Sequence, residues 1–160
     1  MTDRVAMTDG KANQPRGVGR AGDGPPMAGR PVPASALTLL SQARQTWSEA
    51  TRERAVADRY RLAHVAALRA AAAVLALRAR PASGLRRRPT SAWVLLDGVA
   101  PELADWSAYF ADSAIKRAAV EAGSVTVVTG RDADDLVRAA GEFIAVVERM
   151  AGVLALGIAS

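Results

Sequence analysis

His64 is the one imidazole in a chain of 160 residues that contains no cysteine, so acid–base chemistry near neutral pH would have to run through it. The missing thiols exclude disulfide scaffolds, cysteine nucleophiles, thiolate-ligated zinc and iron–sulfur clusters, and a single histidine excludes a His-rich metal centre. Arg59 stands five positions before His64 and Arg61 three, giving an Arg, four residues and a His. Such a set could hold a phosphodiester with a guanidinium and move a proton with the imidazole, the catalytic apparatus of a metal-independent ribonuclease. On a helix, however, Arg59 and His64 project about 140° apart around the axis, which is poor convergence. That geometry favours the plainer expectation of a half-exposed histidine beside acidic neighbours.

Three further groups invite the same weighing. Asp132, Asp134 and Asp135 could ligate a hard cation. They also open a helix, where negative charge complements the helix dipole, and this is the reading taken: an acidic cluster with no metal and no cofactor. Arg52, Arg54 and the run Arg86, Arg87, Arg88 could contact nucleic-acid phosphates, although no aromatic is interleaved there for base stacking. Arg69 falls at helical spacing among Leu62, Val65, Ala66, Ala72, Ala73 and Ala76. A charge among small apolar residues is expected to be buried and paired, with Asp105, Asp112 or Glu142 as its partner.

The elements that must position these groups are helical. Half of the residues are apolar, mainly alanine, and aromatics are few. After Pro33, with Ser35 as a possible cap, Leu37, Leu40, Ala43, Trp47 and Ala50 trace a first helix that fades near Thr51. Asp58 to Arg80 form a second, stopped by Pro81. Ser91 opens a short helix that Asp97–Gly98 closes, and Pro101 opens a third long helix that carries Leu103, Trp106 and Phe110 up to Gly123. Val125 to Val128 read as an extended connection. Thr129 with Asp132 then forms a capping pair for a fourth long helix ending at Met150. The expected fold is all-α: an antiparallel bundle of four long helices plus one short helix. Up-down-up-down order puts the Arg59 and Asp132 ends together.

The formal net charge of +5 is unevenly spread, with eight cations against three carboxylates in residues 34–80 and five against nine in 101–160. The excess therefore reads as the remainder of an internal pairing more than as a nucleic-acid footprint. Residues 1–33, with six Gly and five Pro, are expected to be a disordered tail; residues 34–152 form the helical domain and 153–160 an apolar C-terminal tail. No apolar signal region follows the first charges, and the apolar run Leu62–Leu77 is short for a membrane span and holds His64 and Arg69. A cytoplasmic protein with no membrane partner is expected.

Several segments, taken in order, resemble a small actinobacterial family of HEPN-domain proteins (higher eukaryotes and prokaryotes nucleotide-binding). They are Arg59-Tyr60, Ala63 through Leu75, Ser91-Ala92-Trp93 with Leu95-Leu96, Val99 through Ala104 with Trp106, and Arg131 through Leu136. The resemblance covers about residues 35–150. It implies an all-helical HEPN bundle, often a homodimer, in a superfamily that holds RNases of toxin–antitoxin and defence systems beside many non-catalytic members. Active HEPN RNases resemble one another in an Arg, four to six residues and a His near the start of the last long helix. The corresponding helix here, from Arg131 onward, contains no histidine, and the spacing recurs only at Arg59 and His64. The resemblance therefore implies a non-catalytic interaction or accessory module, with RNA, a nucleotide or a protein encoded nearby as possible partners.

Overall fold

The computed structural model describes residues 31–78, 90–124 and 126–152. The chain order is α1 (Ala34–Arg52), α2 (Val56–Arg78), α3 (Ala92–Val99), a 3₁₀ turn (Pro101–Leu103), α4 (Ala104–Glu121) and α5 (Gly130–Met150). No strand occurs among the described residues. Residues 1–30 of the tail expected over 1–33, the Arg86–Arg88 run and the apolar segment 153–160 lie outside the described residues.

Local chemistry accounts for most boundaries. Ser91 accepts a hydrogen bond from the Trp93 amide and starts α3. Thr129 and Asp132 exchange side-chain and backbone bonds in a complete capping box at the start of α5. Pro101 occupies the first position of the 3₁₀ turn, and Gly123, at φ 97°, takes the left-handed conformation just past α4. Two expectations shift. Helix α1 starts at Ala34 directly after Pro33, so Ser35 lies inside the helix instead of capping it. Helix α2 starts two residues before Asp58, which sits in its first turn.

Helix α2 is the centre of the bundle and packs against α1, α3, α4 and α5. Its buried residues are largely alanines, Ala63, Ala66, Ala67, Ala70, Ala71 and Ala73, which let neighbouring backbones come close. By length and composition α2 could cross a membrane; here half of that stretch is buried against protein. The connections and cross-helix bonds fix an up-down-up-down order. Arg69 of α2 reaches Gln42 and Thr46 of α1, Arg44 and Trp47 of α1 reach Glu148 and Val137 of α5, and Lys116 of α4 reaches Asp132 of α5.

The aromatic core lies where α3, α4 and α5 meet α2. Trp93 stacks on Phe110 with centroids 5.0 Å apart, and Phe143 lies 5.3 Å from Phe110 and 5.5 Å from Trp106. On the opposite side, α1 closes onto α5 through Trp47, whose indole N–H donates to the Val137 carbonyl at 2.8 Å and whose ring covers Gly141.

Candidate functional site

His64 is fully buried. Its α2 neighbours Ala63 and Ala67 take up little room, which leaves the ring to fill the space between α2 and the aromatic cluster. Trp93 and Phe110 meet it edge-on at 5.7 and 6.3 Å. Nδ1 lies 2.7 Å from the Ser113 hydroxyl, which in turn donates to the Phe110 carbonyl at 2.9 Å. Since that hydroxyl has one proton and spends it on Phe110, Nδ1 carries the proton and Ser113 accepts it. Nε2 is then a bare acceptor, and it has no partner. Burial, with the nearby Arg117 charge as a lesser cause, lowers the imidazole pKa from 6.5 to about 4, so the ring is neutral at physiological pH. The half-exposed histidine with acidic neighbours is thus corrected: the surroundings are two aromatic rings, a serine and an arginine. Alanine on nearly every side of α2 concealed which face was buried.

Arg59 is engaged elsewhere. Its Nη2 pairs with Asp134 at 3.1 Å and its Nη1 donates to the Glu53 carbonyl at 3.2 Å, which ties the α1–α2 turn to the start of α5. Arg61 lies 3.7 Å from Asp58 one turn earlier on the same helix. Arg52 folds back on Ser48, and Arg54 is exposed in the turn before α2.

The three aspartates at the start of α5 diverge. Asp132 caps the helix and pairs with Lys116 at 3.4 Å. Its carboxyl is held below the usual range, first by hydrogen bonding to the Thr129 backbone and side chain. Asp134 takes Arg59, and Asp135 takes Arg138 at 3.3 Å and Arg131 at 3.9 Å. No group of three His, Asp or Glu side chains converges among the described residues.

Arg69 departs from the expected pairing. It is half-buried, and its Nη1 donates to the Thr46 hydroxyl and, at 3.5 Å, to the Gln42 carbonyl, both on α1. Asp105, Asp112 and Glu142 are exposed and do not reach it. The face carrying Leu62, Val65, Arg69, Ala72 and Ala76 is the half-buried edge against α1, where neutral acceptors meet the guanidinium before any carboxylate could.

Ser113, Tyr60 and Arg117 were not anticipated around His64. The Tyr60 hydroxyl donates to the Ser113 carbonyl at 3.3 Å, and burial pushes its pKa up to about 12. A usable signal existed: Ser107 and Ser113 flank Phe110 at three-residue intervals, so both fall on the inward face of α4.

No curated protein and no solved structure matches the chain. Among protein families, the SAV_6107-like HEPN domain matches residues 50–148, which span α2 through nearly all of α5. A helical bundle of this order, matched over more than half of its length, places the chain in the SAV_6107-like HEPN family.

Proposed function

We propose that this HEPN module is non-catalytic, a cytoplasmic dimerising interaction or accessory protein. The observation that carries the reading is the state of His64: fully buried, neutral, and bound through Nδ1 to Ser113. A general acid or base must come within hydrogen-bond reach of the proton it moves, and a phosphodiester cannot approach a ring enclosed by Trp93 and Phe110. The arginine at the matching spacing, Arg59, is already neutralised by Asp134.

Dimerisation is supported by the outer face of α4. Ala104, Ala108, Ala111, Ile115, Ala118 and Ala122 are all exposed, and their spacing alternates four and three, the period of a helix–helix seam. Ile115 is 73% exposed, which is unusual for an isoleucine without a partner.

The test incubates the full chain with pooled RNA in a chelator and measures its mass by sedimentation equilibrium. No cleavage from a dimer, with Ile115→Asp monomeric, is the expected result. Metal-independent cleavage that Arg59→Gln abolishes would overturn the non-catalytic reading, and a monomeric wild-type chain would overturn the dimer.

A further inference from the structure

We infer that the groove between α1 and α2 is a recognition site for a short acidic–apolar peptide segment of a partner protein, with one carboxylate seated on Arg69. The inference rests on reading the chain as an interaction module. The groove has a volume of about 420 Å³ and is lined from α1 by Gln42, Gln45, Thr46 and Glu49 and from α2 by Arg61, Leu62, Val65 and Arg69.

Arg69 is the distinctive member. Of the α2 arginines, Arg59, Arg61 and Arg78 each face a carboxylate, Asp134, Asp58 and Glu102 respectively. Arg69 meets only the neutral acceptors Thr46 and Gln42, and among the described residues it makes no ion pair. Both bonds use Nη1. That anchors the guanidinium to α1 while Nε and Nη2 remain as a fork with no hydrogen bond, a geometry that matches a carboxylate bidentately. Fixing one nitrogen in advance also reduces the side-chain entropy lost on binding.

The remaining lining narrows the ligand. Val65 and Leu62 lie one turn and two turns before Arg69 on the same half-buried edge, so an apolar side chain next to the carboxylate has a surface to cover. Gln42 and Gln45 are exposed, and their side-chain amides can meet a peptide backbone. Charge argues against a polyanion. Arg61 already has Asp58, and Glu49 lies on the groove wall without an ion pair among the described residues, so a run of phosphates would be repelled far more strongly than a single carboxylate, on which Glu49 exerts a smaller repulsion.

The experiment is an amide NMR titration of the ¹⁵N-labelled full chain with the blocked peptide acetyl-Ala-Leu-Glu-Leu-Ala-amide, its Gln counterpart and inorganic phosphate. The Glu peptide is expected to shift the amides of Gln42, Gln45, Thr46, Val65 and Arg69, and the Gln peptide to bind about tenfold more weakly, as a charge-assisted bond exchanged for a neutral one implies. Arg69→Gln should erase that preference. Glu49→Gln, an exposed change that leaves the Arg69–Thr46 bond intact, should tighten the Glu peptide and leave the Gln peptide unchanged. Equal binding of the two peptides, shifts confined to other surfaces, or phosphate shifting the same amides at lower concentration would overturn the proposal. RNA cleavage by the wild-type chain would remove the non-catalytic reading without altering these shifts, whereas a silent groove in a chain that cleaves no RNA removes the groove alone.

Discussion

The Nδ1–H of His64 donates to the Ser113 hydroxyl across 2.7 Å, inside the bundle and out of reach of solvent. The bond joins α2 to α4 and sets the tautomer of the only imidazole in the chain. It leaves Nε2 without a proton and without a partner, so the ring serves as a packed, mostly apolar wedge against Trp93 and Phe110. Protonating it would put a charge beside Arg117 in the core.

A pH dependence of folding follows. The folded-state pKa is near 4 and the ordinary value is 6.5, so the unfolded chain takes up a proton in that window that the folded chain refuses. Stability is therefore full above pH 6.5 and falls as the pH drops towards 4, by up to about 3 kcal/mol. Urea unfolding at pH 7 and pH 4.5 measures this, and His64→Leu should flatten the dependence across the window.

Gly141 is required by Trp47. A Cβ at position 141 would lie 2.9 Å from the indole Nε1 and 3.0 Å from Cε2. The ring is held by its bond to the Val137 carbonyl and by Arg44 over its face at 5.4 Å, so it gives way poorly. Overpacking of this kind costs about 1–3 kcal/mol, which outweighs the gain of about 1 kcal/mol in helix propensity from Gly to Ala. Gly141→Ala should destabilise, and a double-mutant cycle with Trp47→Phe should show strong coupling in thermal unfolding.

Glu148 is buried and held by Arg44 through both carboxylate oxygens. Removing the guanidinium leaves a carboxylate with no partner in the core, so Arg44→Ala should cost about 2–3 kcal/mol in chemical denaturation. Arg44→Met with Glu148→Leu should recover most of that loss.

At the start of α5, Thr129→Ala removes one half of the capping box. The expected loss is about 1 kcal/mol. The Asp132 carboxyl should move only part of the way back up in a carbon-detected NMR titration, because the backbone N–H of residue 129, the leading cause of its depression, survives the substitution and only the second cause, the Thr129 hydroxyl, is lost.

Features written in local chemistry were legible in the sequence. The Thr129–Asp132 capping box, the Ser91 cap, the Gly123 stop and the four long helices each depend on a few neighbouring residues, and each appears in the structure. The environment of α2 was not legible. Helix α2 is surrounded by four others, and alanine lies on most of its circumference, so the contrast between an inward and an outward face is too weak to orient His64 or Arg69. The meeting of the Arg59 and Asp132 ends followed from bundle topology, since short antiparallel connections bring those two helix ends together, whereas the choice of Asp134 as the partner of Arg59 is seen only in the structure.

The most direct measurement is the NMR titration of the His64 ring nitrogens in the folded chain between pH 5 and pH 8. A constant Nδ1–H tautomer across that range, with no reaction toward diethyl pyrocarbonate, is the expected result. A midpoint near 6.5 with rapid modification would show an exposed, proton-exchanging imidazole and contradict the reading of His64 as a structural group.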